Sequence, residues 1–431
     1  MNAPPALPRP PGDAREAAVR IVRTLQSMGH VAYFAGGCVR DELLGLAPED
    51  YDVATDATPE IVERTFRKTK PVGKSFGVVL VRDGRIVTEV ATFREEGAYS
   101  DKRRPDAVRF ADASADAHRR DFTINALFLD PLDAIERPGG RVIDFVGGLG
   151  DLERGVVRAV GDPAERLAED HLRALRAVRF AARFAMPIEE HTGDAIRAHA
   201  SELEGVSRER IGDELRRILA HPNRAGGARL MQALALDAPA LHDGARPDAA
   251  LDALERLPAG ADAPLALAAW TVDRLHHDGR AVTTDDVPET VGRLRRALVL
   301  ANDECERLRD VLAGVPALRD GWDGAAVAQR KRWGGSGWCD GALGVLGARL
   351  SDLEARIRAD LDTLANTPGG LAPMPIITGD DLIGAGYEPG PMFGVWLDRV
   401  YDAQLEGRIR TREEALSLLG GWANPGQNPA E

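Results

Sequence analysis

The residue types best suited to chemistry in this 431-residue chain fall within one short run, Gly36-Gly37-Cys38-Val39-Arg40-Asp41 followed by Asp50-Tyr51-Asp52-Val53-Ala54-Thr55. Alternation along a strand puts Asp50 and Asp52 on one face, about 7 Å apart along the chain. Two carboxylates so placed bridge a pair of Mg²⁺ ions spaced for in-line phosphoryl transfer, one ion activating a hydroxyl and the other neutralising phosphates. Glu89, in the predicted neighbouring strand Val87–Phe93, supplies a third carboxylate. A lone Asp-x-Asp pair describes a solvated strand edge equally well; the glycine pair and the third acid favour a metal site. Gly36 and Gly37 directly follow a predicted strand, so the backbone can approach a triphosphate while the next helix aims amide dipoles at it.

Two further segments carry charge in a chemically useful order. In His118-Arg119-Arg120-Asp121-Phe122-Thr123-Ile124-Asn125, the arginine pair precedes an apolar stretch, and a bidentate guanidinium beside a metal site suits phosphate oxygens. The alternative is a surface pair next to a helix cap. In Glu169-Asp170-His171-Leu172-Arg173, Asp170 and Arg173 share a helical face that Arg176 and Arg179 continue. Asp accepts from an exocyclic amine and Arg donates to ring acceptors, so the pair can read base edges; the alternative is an ion pair on a solvated helix.

These residues need a scaffold, and the hydrophobic pattern supplies one. Helical spacing from Arg15 to Met28 ends at Gly29. A strand, a helix (Val39–Gly45), a second strand carrying the two aspartates and a short helix after Pro59 follow. Strands over 77–84 and 85–93 flank a hairpin signal at Asp83-Gly84. The polar stretch 94–106 lacks periodicity and reads as a mobile loop. From about Leu149 the character becomes helical: 162–186 reads as one long amphipathic helix, a composition shift over 238–264 marks a boundary, Ala-rich helices continue to about Leu364, and 366–375 reads as a linker. No internal repeat is visible.

At roughly 100–200 residues per domain, the length implies two to four domains. No apolar run nears the roughly 20 residues of a membrane span, and the Pro-rich residues 1–14 read as a disordered lead-in, neither signal nor anchor. Cys38, Cys305 and Cys339 lie far apart and are odd in number, which suits a reducing cytoplasm and gives no zinc spacing. The net charge of −13 counts against a nucleic-acid partner at first sight. Arginines nevertheless cluster at 103–104, 119–120, 173–183 and 208–217, and a local basic groove binds phosphate on an acidic protein.

The order GG-x-VRD, DxD, RRDFTINA and EDxLRxLRxxRFAARF resembles the class II tRNA nucleotidyltransferase (CCA-adding) and bacterial poly(A) polymerase family of the DNA polymerase β superfamily, closely over Tyr33–Leu219. The resemblance implies an α+β protein: a polymerase-β-like head of mixed β-sheet with flanking helices (15–147), then an all-helical neck (148–238), body (239–368) and tail (369–431). It implies that the head binds Mg²⁺ and NTP and that neck side chains choose CTP or ATP without a template. By this resemblance Asp50 and Asp52 match the metal carboxylates and Glu89 the third acid. Gly37, Arg40 and Arg120 match contacts to the nucleotide's phosphates and sugar, Asp170 and Arg173 the base-reading pair, and Arg176 and Arg179 further nucleotide contacts. Arg210 and Glu214 resemble a helix-ordering i,i+4 pair. The loop at 94–106 lies where CCA-adding relatives carry one needed for the final A, and the segment from Ile377 to Ile409 resembles a tRNA-contacting tail. Some relatives carry a His-Asp phosphohydrolase-like domain after the neck; Trp270-Thr271 stands where that pair would be, so the body reads as structural and RNA-contacting. Trp322, Trp333, Trp338 and Trp396 read as packing residues. The expected activity is addition of CCA from CTP and ATP to the tRNA 3′ end. A-adding, CC-adding and poly(A) activities, and a non-catalytic RNA-binding protein, remain as alternatives; protein partners are unknown.

Overall fold

The computed structural model describes residues 13–72, 77–96, 108–133 and 139–422. The chain forms two compact units, Met1–Asp248 and Ala249–Glu431.

The first unit begins with α1 (Asp13–Ser27), whose Ala18, Ile21, Val22 and Leu25 are buried where it packs on β1 (Ala32–Ala35), β2 (Val53–Thr55) and β5 (Ile86–Thr92). Between these come α2 (Gly37–Leu43), α3 (Pro59–Thr65), β3 (Thr69–Pro71) and β4 (Val78–Asp83). After a small hairpin of β6 (Arg94–Glu96) and β7 (Val108–Phe110) follow α4 (Ala113–His118), a 3₁₀ turn (Thr123–Asn125), β8 (Phe128–Asp130) and β9 (Arg141–Ile143). Among the described residues one mixed sheet runs β3-β4-β5-β2-β1-β8-β9, antiparallel except for the β2–β5 pair. Along β5, Thr88, Val90 and Thr92 are buried while Val87 and Glu89 point to the open face, the period of two that a half-covered sheet requires.

Two expectations change here. Asp50 and Asp52 precede β2 instead of lying within it; the amide of Ala35 still bonds to the Asp52 carbonyl at 3.0 Å, so the segment is extended, but the ladder begins only at Val53. Arg94–Glu96 forms a strand, whereas the rest of the expected loop, 97–106, lies outside the described residues, as does the lead-in to residue 12.

The helical part of this unit starts with α5 (Gly148–Arg154), packed on the Thr123–Asn125 turn. Its fully buried Asp151 accepts from the Thr123 hydroxyl at 2.6 Å and pairs with Arg154 and Arg158. Then come α6 (Pro163–Glu169), α7 (Arg173–Phe184), α8 (Glu190–Ala198), α9 (Arg208–Leu219), α10 (Arg224–Ala233) and α11 (Asp237–Leu241). The single long helix expected over 162–186 is therefore two. Asp170 adopts an extended conformation (φ −156°, ψ 102°) between α6 and α7, and its carboxylate accepts from the Leu172 amide at 3.1 Å. A short polar side chain that satisfies nearby backbone competes with helix continuation, and here it wins.

The second unit is helical throughout its described residues: α12 (Asp252–Arg256), α13 (Ala263–His277), α14 (Asp286–Leu298), α15 (Asn302–Gly321), α16 (Val327–Gly334), α17 (Cys339–Gly347) and α18 (Ser351–Ala365), then α19 (Gly379–Gly384), α20 (Met392–Leu405) and α21 (Arg412–Gly420). Trp270 and Trp322 are buried, Trp322 stacks on Trp333 with centroids 6.1 Å apart, and Trp338 packs against Gly314. The last three helices close over their own apolar cluster, including Leu382, Trp396, Val400 and Leu419. No described helix is long and apolar enough to cross a membrane.

Gly148 is the tightest link between the sheet and the helices after it, since a Cβ there would collide with the Thr123 carbonyl. Gly148→Ala should destabilise the protein by about 1–3 kcal/mol. Gly205→Ala, which points into open space, should stay within about 0.5 kcal/mol. Chemical denaturation of the two variants checks this.

Candidate active site

The site is a cleft of about 740 Å³ in the first unit, with acids on the sheet side and arginines on the helical side. β1 delivers the chain to Gly36, whose φ of +74° and 2.9 Å approach to the Arg120 guanidinium tolerate no side chain. The sheet delivers the acids. Val53 of β2 pairs with Val90 of β5 in parallel register, so one step back on each strand sets Asp52 beside Glu89. Asp50 is exposed and Asp52 half-buried. Burial, then Glu89, then Asp50 push the Asp52 carboxyl up to about 7, against the pull of Arg120. Partial burial and Asp50 raise Glu89 as well, opposed by Arg94.

The opposite wall is a set of guanidinium groups, each held by an acid or amide. Arg40, almost wholly buried, donates Nε to Asp41 at 2.8 Å and Nη1 to the Asn125 Oδ1 at 2.5 Å, and lies against the rings of Phe180 and Phe184. Arg119 and Arg120 share Asp116, at 2.6 and 2.9 Å, and Arg120 also donates to the Asn125 carbonyl at 3.1 Å. Burial opposes ionisation of Asp116, but those two arginines keep its carboxyl below the ordinary range. Arg176 grips Asp121 at 2.6 Å; burial again works the other way, yet Arg176 and hydrogen bonds hold Asp121 down at about 2. Arg179 donates to Glu214 at 2.6 Å with its guanidinium 4.2 Å from the Phe180 centroid.

The expected Asp170–Arg173 pairing is not what forms. Asp170 is clasped by Arg210 from α9, at 2.6 Å, while Arg173 bonds to Glu169 and the Arg166 carbonyl. The expected Arg210–Glu214 pair is replaced in the same exchange, because Glu214 serves Arg179. The reason is the break before α7: with Asp170 off the helix, its carboxylate faces α9, and the i,i+3 relation loses its meaning. All the candidates nevertheless come together: Gly36, Gly37, Arg40, Asp50, Asp52, Glu89, Arg120, Asp170, Arg173, Arg176 and Arg179 line one cleft. Sequence reasoning missed Arg210 as a wall residue and Asp116 and Asp121 as anchors. Asp121 and Asn125 left a signal, two polar side chains four apart in an apolar run, joined in the structure at 3.2 Å.

The residues present fit a divalent cation. Among the described residues no three His, Cys, Asp or Glu side chains converge as a closed metal cage; Asp50, Asp52 and Glu89 instead form an open, mutually repelling set of hard oxygen donors. Such a set leaves coordination positions for water or phosphate oxygens. Acidic oxygens on one wall and fixed guanidinium groups on the other make a site for a polyphosphate held with a cation.

Comparison with known proteins agrees with this class. Residues 32–158 match the Poly A polymerase head domain, and 185–241 match the probable RNA and SrmB-binding site of polymerase A. A CCA-adding enzyme of Lactiplantibacillus plantarum is 33% identical over 416 residues, 93% of this chain and 94% of that protein. One of Enterococcus faecalis is 44% identical over 218 residues, 50% of this chain and 52% of that one. The crystal structure of the Bacillus stearothermophilus CCA-adding enzyme in complex with CTP superposes with a TM-score of 0.71 at 27% identity, covering 94% of this chain and 96% of that one. This chain belongs to the CCA-adding enzyme family of nucleotidyltransferases, a family that works with divalent metals.

Because the Asp52 carboxyl is raised in the folded state, from 3.8 to about 7, its contribution to stability is complete below pH 3.8 and is lost as pH rises through 7. In divalent-free buffer, Asp52→Asn should therefore gain stability relative to the unmodified protein between pH 5 and pH 8. Melting curves of both across that range test it; a difference that does not grow with pH would remove the repulsion argued here.

Proposed function

We propose that this chain adds CCA, from CTP and ATP, to the 3′ end of tRNA without a nucleic-acid template, releasing pyrophosphate. The observation that carries the reading is the single cleft in which the acids of the sheet face the arginines of α7. In this reading Asp50 and Asp52 hold two Mg²⁺ ions and Glu89 assists. Such ions lower the pKa of the attacking hydroxyl and neutralise the charge built up on the phosphates.

What the chain's own side chains do follows from the geometry. The Gly36–Gly37 turn leaves room for the triphosphate against backbone amides. Arg40 and Arg120, already anchored by Asp41, Asn125 and Asp116, meet the phosphates and sugar without first being ordered. Asp170 and Arg173 select the base, with Arg176 and Arg179 as neighbouring contacts. Base reading by Asp170 then competes with its Arg210 ion pair. Support for CTP as a ligand comes from the Bacillus stearothermophilus relative, whose structure contains it.

In domain terms, the head spans 15–147, the neck 148–238, the body 239–368 and the tail 369–431, the last meeting tRNA. The three cysteines are buried and unpaired, in keeping with a reducing cytoplasm.

The test is incorporation with Mg²⁺ on tRNA ending at the discriminator base, tRNA ending in CC, and an unstructured oligomer, with CTP, ATP or both. Three nucleotides added to the first, and no more, is the expected result; long ATP-dependent tails on the oligomer would replace this reading with poly(A) synthesis. Asp50→Ala should remove several kcal/mol of transition-state stabilisation, roughly 10³-fold in rate, while RNA binding persists. Arg173→Ala should erode CTP-over-ATP choice by about 10-fold or more, the worth of one base contact, with a smaller effect on the rate for the better substrate. Unchanged discrimination would remove Arg173 from base reading.

A further inference from the structure

The nucleotide cleft does not use all of the open sheet face. Cross-strand register defines a row on that face: Asp52 beside Glu89, Glu89 opposite Leu80 of β4, and Leu80 opposite Lys70 of the edge strand β3. With strands about 4.8 Å apart, Lys70 stands about 10 Å from Glu89. The pairing Thr69↔Val81 continues outward to Lys68 and Arg82, whose backbones are joined by a 2.9 Å bond from the Arg82 amide to the Lys68 carbonyl. Both therefore share the face of Lys70. Their neighbour Asp83 points to the other side, where it pairs with Arg20 at 2.6 Å.

Lys68, Lys70 and Arg82 are exposed, and among the described residues no carboxylate pairs with any of them. That distinguishes them from the cleft arginines, nearly all of which are matched to acids. Like charges set directly across a strand pair cost stability, so the arrangement is one that an external anion would relieve. Composition points the same way: the chain has five lysines, and three of them fall between residues 68 and 74. The ammonium is a mobile point charge suited to phosphate contact without base reading.

We infer that this basic row binds the phosphate backbone of the RNA strand whose 3′ end lies at the acids. The inference rests on the tRNA-extending function proposed above and goes beyond it by naming where the strand leaves the site. A nucleoside triphosphate is served inside the cleft, whose lining does not include these three residues. A ligand that reaches from Asp52 and Glu89 to Lys70 and Lys68 has to be a longer polyanion, and the strand being extended begins at those acids.

The experiment is steady-state kinetics of the full chain carrying Lys68→Glu, Lys70→Glu and Arg82→Glu, with tRNA and CTP varied separately at several salt concentrations. The expected result is a KM for tRNA raised 10-fold or more near 150 mM salt. The log–log salt dependence should become shallower by about two, near one unit per lost phosphate contact. The KM for CTP and the kcat at saturating tRNA should not move. An unaltered KM and salt slope for tRNA would overturn the inference, as would a rise in the CTP KM alone. Should the triple variant melt early, Lys70→Gln and Lys68→Gln singly give the same readout at smaller amplitude. If the unmodified protein fails to extend tRNA at all, the function proposed above falls; if it extends tRNA and the variants match it, only this inference does.

Discussion

A cleft lined with guanidinium groups must first survive its own charge. Eight arginines line this one at the head-side end of the neck helices, and each would repel its neighbours and wander if left to solvent. The structure resolves this by giving the wall a hidden layer of opposite sign: Asp41, Asp116, Asp121, Glu169, Asp170 and Glu214 sit behind the arginines and hold them. Partly buried, hydrogen-bonded pairs of this kind are poor sources of net stability. Their return is geometric, since the cations are fixed before any ligand arrives and need no reorganisation when it does.

The acids on the sheet obey the opposite logic. Asp50, Asp52 and Glu89 have no such backing layer, and the repulsion among them shows in the raised Asp52 and Glu89 carboxyls. One side of the cleft is thus internally balanced and the other is left short of positive charge. A divalent cation bound with a polyphosphate completes both: the metal answers the acids, and the phosphates answer the arginines. The sheet is what keeps the deficit local, because parallel pairing of β2 with β5 puts Asp52 next to Glu89 by register alone.

How much of this the sequence displayed depended on the range of the interaction. Local patterns were readable: the apolar spacing of α1, the glycine turn after β1, the hairpin at Asp83-Gly84 and the out-facing Glu89 follow from periods of 3.6 and 2. So did the candidate site residues, all of which line one cleft. What the pattern hid was pairing between elements. Asp170 and Arg173 sit three apart, and Arg210 and Glu214 four apart, so each pair looked self-contained on a helix. The structure exchanges the partners because one residue leaves the helix, and nothing in an amphipathic pattern reports a break stabilised by a side chain 40 positions away. Asp50 and Asp52 were misplaced by the same short sight: their alternation is real, but where a ladder begins depends on the neighbouring strand.

The break at Asp170 has a mechanical meaning. A side chain rooted inside a helix can turn only about its own bonds, since moving its backbone would tear the hydrogen-bonded ladder around it. Asp170 is rooted in a joint between two helices, with its backbone extended. Swivelling that carboxylate calls for torsion at one residue and release of one grip, that of Arg210, while the ladders within α6 and α7 stay whole. The joint works as a pivot mounted between two stiff rods.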